Sequence, residues 1–265
     1  MKNLSKKSMT QGYRQALRCL LAPTVLVVVV AGVSMAQTAE GFKSQETKGG
    51  QHISPSNGQK EARFDQLRKL GDESVAQGSW DRAETYYRQA LDLIPMPGVQ
   101  FKLAKVLEKK NLNKEALTIL RQITDESGKG QLVNDPIALA EYGEVALATG
   151  NSQEAQTAFE RAVEHGRSSL GAGLPQSDNY SGANGVRAAA WLAAGYQLTL
   201  TGQTEEAATA FGKGVKLQPS WDVARFYYAS AIAKLGRDQE AQKTFKSLAQ
   251  SANPTVRREA AKRSG

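Results

Sequence analysis

The sequence predicts an all-α protein built as a solenoid of stacked helix-turn-helix pairs. Apolar residues at i, i+3, i+4 and i+7 are typical of a helix with one buried side. Residues 191–219 contain two such stripes in succession, and a glycine separates them. The first stripe consists of Trp191, Ala194, Gly195 and Leu198, and the second of Ala207, Phe211 and Val215. Two short helices joined by a tight turn are therefore expected here.

The same pair of stripes recurs along the chain. Copies are spaced by 33, 39, 52 and 34 residues, measured at a small residue near the start of each second stripe. These small residues are Ala83, Ala116, Ala155, Ala207 and Ala241. One hairpin cannot bury its own apolar side, so neighbouring copies are expected to stack. We predict about five hairpins over residues 61–252.

Residues 191–219 resemble a tetratricopeptide repeat, whose pattern is W-x2-L-G-x2-Y, then A-x3-F, then P. The matching residues are Trp191, Gly195, Ala207, Phe211 and Pro219, whereas Ala194 and Leu198 replace the usual leucine and tyrosine. The resemblance extends over all five copies. It implies a right-handed α-solenoid that binds protein or peptide partners in a concave groove and needs no cofactor.

Residues 1–36 are predicted to be a secretory signal peptide. They carry five basic residues and no acid, and an apolar run precedes small residues around Ala36. This order is typical of a signal that is cleaved, here after Ala36. The alternative is an uncleaved anchor, because no charge appears between Arg18 and Glu40 and residues 19–36 could just span a bilayer. Both interpretations place the repeats outside the cytoplasm, in the periplasm or the extracellular space.

Three further segments flank or interrupt the repeats. Residues 37–60 are polar and rich in Gly, Ser and Gln, which predicts a flexible linker. Residues 166–187 carry five glycines and a proline, and we interpret them as an insertion that is either functional or disordered. Residues 253–265 are expected to form a short basic helix that caps the array, with a basic interaction tail as the alternative.

Composition argues against several classes of function. The formal net charge of +8 is concentrated at the N-terminus, since 29 basic residues face 26 acidic ones outside residues 1–36. That balance is too mild to indicate a nucleic-acid partner. The single cysteine and two histidines form no metal-ligand pattern. Gly171-Ala172-Gly173 lacks the preceding strand and the Gly-Lys-Ser/Thr of a phosphate-binding loop. We expect no enzyme, no metal and no cofactor.

The predicted binding surface lies beside the core stripe of each first helix. Its N-terminal half carries charges of both signs, and its C-terminal half is apolar and aromatic, which favours a peptide with one polar and one apolar end. The candidate residues are Arg68, Asp72, Phe101, Lys105, Glu108, Glu144, Leu147, Leu192, Tyr196, Thr199, Phe226 and Ser230. Some relatives clamp a C-terminal carboxylate with Lys, Asn and Arg. Asp72 would repel such a group, so that activity is not expected here.

The leading hypothesis is an exported scaffold that binds protein partners during assembly or secretion at a bacterial envelope. The alternative is a membrane-anchored structural subunit that self-associates through its repeats. In that alternative, residues 19–36 stay attached and supply the only contact with the membrane.

Overall fold

Eleven α-helices make up the part of the chain that the computed structural model describes, residues 56–127, 130–170 and 182–264. The predicted signal segment, most of the predicted linker and the centre of the insertion lie outside these residues. The helices are α1 Asn57–Ala76, α2 Trp80–Leu93, α3 Pro97–Lys109, α4 Asn113–Ile123, α5 Pro136–Ala148, α6 Ser152–Leu170, α7 Gly182–Leu200, α8 Thr204–Leu217, α9 Asp222–Lys234, α10 Asp238–Leu248 and α11 Pro254–Arg263.

Consecutive helices pair into five hairpins, from α1/α2 to α9/α10, and α11 follows them. Each helix packs against the next along the chain, and no strand occurs in the described ranges. The predicted all-α solenoid of helical hairpins is therefore confirmed.

The turn inside each hairpin depends on one residue with a left-handed backbone. Glycine supplies it in four hairpins, for example Gly150 with φ 84° and Gly202 with φ 78°. Asn111 takes the same role in the second hairpin with φ 60°, as its position in the sequence predicts. Asparagine is one of the few residues with a side chain that adopts this region at low cost. The five turns are thus equivalent although their sequences differ.

The two helices of a hairpin approach closely where a glycine faces an aromatic ring. A Cβ added at Gly195 would lie 2.6 Å from Cδ1 of Phe211, and Gly71 and Gly143 face Tyr87 and Phe159 in the same way. Only glycine leaves room for the ring, which then fills the space between the helices. All three rings are almost completely buried.

Ion pairs link the second helices of the first three hairpins in a regular order. Arg88 Nη2 on α2 donates to Glu115 Oε1 on α4 at 2.5 Å, and Arg121 Nε on α4 donates to Glu154 Oε1 on α6 at 2.5 Å. The equivalent residues at the next junction are Glu160 and Glu206, which are both acidic. This series of ion pairs therefore ends before the junction that contains the insertion.

At the third junction, between the third and fourth hairpins, small residues pack closely instead. First helices α5 and α7 pack directly against each other, and no other two consecutive first helices in the described ranges make a contact as extensive as this. Ala140 on α5 and Ala189, Ala190 and Ala193 on α7 are almost completely buried. A Cβ at Gly166 on α6 would overlap the Ala193 methyl group. The 52-residue spacing thus coincides with the tightest junction of the array.

Three segment boundaries differ from the predictions. Residues 57–60 belong to the predicted linker but are helical, because Ser56 and Gln59 form a reciprocal capping box that starts α1. The insertion is shorter than 166–187, since α6 continues to Leu170 and α7 begins at Gly182.

The C-terminal helix α11 covers the end of the array. Asn253 caps its N-terminus by accepting hydrogen bonds from the backbone N–H groups of Thr255 and Val256. Val256 and Ala260 are buried, and α11 contacts both α9 and α10. The remaining face is polar, as the end of a solenoid requires.

We predict that Gly195→Ala destabilises the array, because the new methyl group would overlap the Phe211 ring. Overpacking of this kind costs about 1–3 kcal/mol. Gly98→Ala is the matched control, since Gly98 is exposed in α3 and nothing lies within 4 Å of its added Cβ. Urea unfolding followed by circular dichroism should give a lower midpoint for Gly195→Ala only. Equal midpoints for the two variants would contradict the assigned close approach.

Candidate partner-binding surface

The surface formed by the first helices α1, α3, α5, α7 and α9 contains most of the predicted binding residues. We call it the first-helix surface. Side-chain contacts run across it from each first helix to the next, so it is continuous from α1 to α9.

At its N-terminal end, the surface is held together by Asp72. The carboxylate accepts hydrogen bonds from Tyr87 Oη at 2.7 Å and from Lys102 Nζ at 2.7 Å, and Arg68 lies 3.7 Å away. Asp72 therefore links the first hairpin to the second. Arg68 and Asp72 both lie on α1, and their charges are already paired within the array. Lys102, which the sequence analysis missed, is the third member of this group.

An acid pair with one buried member lies between the second and third hairpins. Glu108 on α3 faces Glu141 on α5, which is 5% exposed, and Glu141 accepts a hydrogen bond from Lys213 Nζ at 3.3 Å. Burial and the negative charge of Glu141 raise the pKa of Glu108 to about 7. Burial alone would raise the pKa of Glu141 as well, but the positive charges of Lys213 and Lys105 outweigh it and hold that pKa below its ordinary value.

Lys213 and Lys105 both combine a charge contact with an aromatic contact. Lys213 Nζ lies 3.5 Å from the centroid of the Trp191 ring, and Lys105 Nζ lies 5.8 Å from that of Phe101. Glu141 and Lys213 were not predicted from the sequence. The available signal was a pair of acids, Glu141 and Glu144, within the otherwise apolar segment PIALAEYGEVALA.

Glu144 joins the third hairpin to the fourth. Its carboxylate accepts hydrogen bonds from Trp191 Nε1 at 2.7 Å and from Arg187, whose Nε lies 2.7 Å from Oε1. Arg187 also reaches the second carboxylate oxygen, so the pair is bidentate. Glu144 was predicted as a binding residue, but its contacts fix the α5–α7 junction.

Leu192 is not on the accessible surface, which corrects the prediction. Its side chain is 0% exposed, and it belongs to α7, which packs directly against α5 as well as against α6 and α8. Leu147, one of its predicted neighbours, remains partly exposed. Leu192 was assigned because it lies beside the core stripe of α7, and a position along one helix does not show which other helices cover it.

Aromatic side chains form the C-terminal end of the surface. Tyr227 lies at their centre, with ring centroids 5.9 Å from Tyr196 and 5.9 Å from Phe226, both edge to face. Thr199 and Ser230 donate their hydroxyl groups to carbonyl groups of their own helices. Tyr196, Tyr227 and Phe226 are partly exposed, so this cluster offers apolar area and ring edges to a partner.

Neither a metal cluster nor a membrane-spanning helix occurs in the described ranges. No group of three or more His, Cys, Asp or Glu side chains in residues 56–127, 130–166 and 182–264 could hold a metal ion. None of the helices in the described part of the chain is long and apolar enough to cross a membrane.

The structure defines a helical-repeat scaffold. Its equivalent hairpins follow one another along the chain, and their first helices carry both polar and aromatic side chains. A family model described as "Tetratricopeptide repeat" matches residues 68–130, which lie in the first two hairpins and the connection after them. The glycine-to-aromatic contact of the first hairpin recurs in the third and fourth. Residues 68–130 are therefore similar to the tetratricopeptide repeat family, and the later hairpins repeat the same helix-turn-helix arrangement.

Solved structures with a similar fold come from several organisms. A thermophilic tetratricopeptide repeat protein of Thermus thermophilus is 18% identical, with a TM-score of 0.36 over 76% of this chain and 98% of that chain. MamA of Desulfovibrio magneticus RS-1 is 16% identical, with a TM-score of 0.38 over 72% and 97%. The yeast Sti1 TPR2AB domain, solved in a complex labelled pHSP90, is 15% identical, with a TM-score of 0.33 over 77% and 98%. No curated protein matches the chain in sequence.

We predict that the chain loses stability as the pH rises from about 5 to about 8, because the folded chain holds a proton on Glu108 that the unfolded chain releases. The raised pKa of about 7 gives Glu108 a stabilising effect that is present below its ordinary pKa of 4.5 and lost on passing through pH 7. Glu108→Gln keeps a neutral side chain and should flatten this part of the pH profile in urea unfolding.

The matched control for that measurement is Glu164→Gln. Glu164 is exposed on α6 and has no hydrogen bond or ion pair with the other described residues. This control should keep the decline of the parent. If the stability of the parent and of Glu108→Gln falls equally as the pH rises, Glu108 does not hold that proton in the folded chain.

Proposed function

We propose that the chain is an exported repeat scaffold that binds protein or peptide partners on the first-helix surface, in assembly or secretion at a bacterial envelope. The observation that carries the binding assignment is the aromatic cluster of Tyr196, Tyr227 and Phe226, three partly exposed rings that contact one another on the first-helix surface. Exposed aromatic groups of this kind serve as anchors in protein interfaces.

Charge supports a protein partner rather than a nucleic acid. Asp72, Glu141 and Glu144 on the first-helix surface are each paired with a basic residue of the array. Outside residues 1–36, the 29 basic residues against 26 acidic ones are too mild a balance for a nucleic-acid partner. Phe101, near the N-terminal end, adds a second apolar contact point beside Lys105. A segment lying along α3 to α9 could therefore place apolar side chains at both positions.

Replacing Phe101, Tyr196 and Phe226 together by Gln should abolish partner capture, because it removes the apolar area at both ends of the surface. The tagged parent and variant would be incubated with an envelope and secreted-protein extract of the native host, and captured proteins identified by mass spectrometry. Circular dichroism should show equal helical content in both.

The control variant replaces three exposed apolar residues at helix ends, Met96, Leu112 and Leu200, by Gln. It should capture the same partner as the parent. If the variant with Gln at Phe101, Tyr196 and Phe226 still captures the partner, the first-helix surface is not the binding site. Recovery of the chain's own copies alone, from every bait, would favour the self-associating structural subunit.

Export rests on the N-terminal sequence, with its basic start, apolar run and small residues before Gln37. We predict that the protein isolated from the host begins at Gln37 and is found in the periplasm or the medium. N-terminal sequencing after fractionation measures both. An intact N-terminus in the membrane fraction would instead identify residues 19–36 as an anchor.

A further inference from the structure

The last residue of α11, Arg263, reaches back onto the first-helix surface. Its Cζ lies 4.9 Å from the centroid of the Phe226 ring and 5.7 Å from that of Phe245. Its Nη1 donates a hydrogen bond to Ser230 Oγ at 2.7 Å. Phe226 and Ser230 both belong to the predicted binding surface, so the guanidinium is part of that surface.

These contacts hold the guanidinium in place while leaving most of its donors available. A free arginine side chain loses about 2 kcal/mol of rotamer entropy when it is fixed. Here the rings and Ser230 fix it before any partner arrives. The guanidinium has five N–H donors, and the contact with Ser230 uses one of them.

Arg263 differs in its partners from the other arginines of the surface. Arg68 and Arg187 pair with the acids Asp72 and Glu144, whereas no acid of the described residues lies within ion-pair distance of Arg263. Lys234, exposed at the end of α9, also has no such acid in the described ranges. The aromatic end of the surface therefore carries positive charge that is not neutralised within the described array.

We propose that Arg263 is a carboxylate-binding subsite, and that its occupant is an Asp or Glu side chain of a partner peptide. The planar fork of arginine matches a carboxylate with two parallel hydrogen bonds. An apolar side chain of the same peptide would lie against Tyr196 and Tyr227. The inference rests on the proposed function and adds the chemistry of the partner.

Selection from a random peptide library displayed on phage tests the subsite, with the full chain as bait. Two variants accompany it. Arg263→Gln removes the subsite, whereas Arg258→Gln removes an equal charge from an arginine of α11 that contacts only Glu259 among the described residues. Thermal unfolding should show that both variants keep the fold of the parent.

Peptides selected by the parent and by Arg258→Gln should be enriched in Asp or Glu next to an apolar residue. Arg263→Gln should keep the apolar enrichment and lose the acidic one. For one selected peptide, changing the acid to its amide should weaken binding to the parent by roughly 10- to 100-fold, as expected for a charged hydrogen-bonded pair. The same change should alter binding to Arg263→Gln by less than about threefold.

Two results would overturn the inference and leave the proposed function intact. One is selection of apolar peptides without acidic enrichment, and the other is equal acidic enrichment with Arg263→Gln. Failure of all baits to select any peptide, together with an empty pull-down, would refute the proposed function and this inference with it.

Discussion

The close contact between a glycine of one helix and an aromatic ring of the next determines most of this architecture. Gly71, Gly143 and Gly195 provide that contact in the first, third and fourth hairpins. Because the ring occupies the place of a side chain, the two helices of a hairpin are held at a fixed distance. Three of the five hairpins are built on this contact, and hairpins of similar shape can stack so that each buries the apolar stripe of its neighbour.

Stacking also determines which charged groups remain available to a partner. At the first and third junctions, an acid of one hairpin is bound by a cation or ring of the next, as Asp72, Glu141 and Glu144 show. Such pairs contribute little energy where they are exposed, but they fix the register of one hairpin on its neighbour. The N-terminal half of the surface is therefore polar for structural reasons, and its residue composition overstates its capacity for binding.

Most features that depend on residues close together in the sequence were predicted correctly, whereas features that depend on contacts between distant helices were not. Helical stripes, the turn at Asn111 and the cap at Asn253 depend on a few neighbouring residues, and the sequence predicts them correctly. Leu192 and the partners of Glu141 depend on how two distant helices meet. At the third junction α5 and α7 are in direct contact. The apolar repeat pattern does not show that these two helices pack against each other. The N-terminal limit of α1 was missed because Ser56 and Gln59 lie in a polar segment that resembles a linker.

Recognition is consequently concentrated at the C-terminal end of the array. There the junction between α7 and α9 is made by rings, Tyr196 against Tyr227, and rings can contact each other by their edges while leaving part of their faces exposed. An ion pair between α7 and α9 would have neutralised its own charges and left neither available to a partner. The helix that caps the solenoid adds a cation over these rings, so one element both ends the array and completes its binding surface. Because α11 packs on both α9 and α10, the position of that cation depends on the last hairpin and not on the first three.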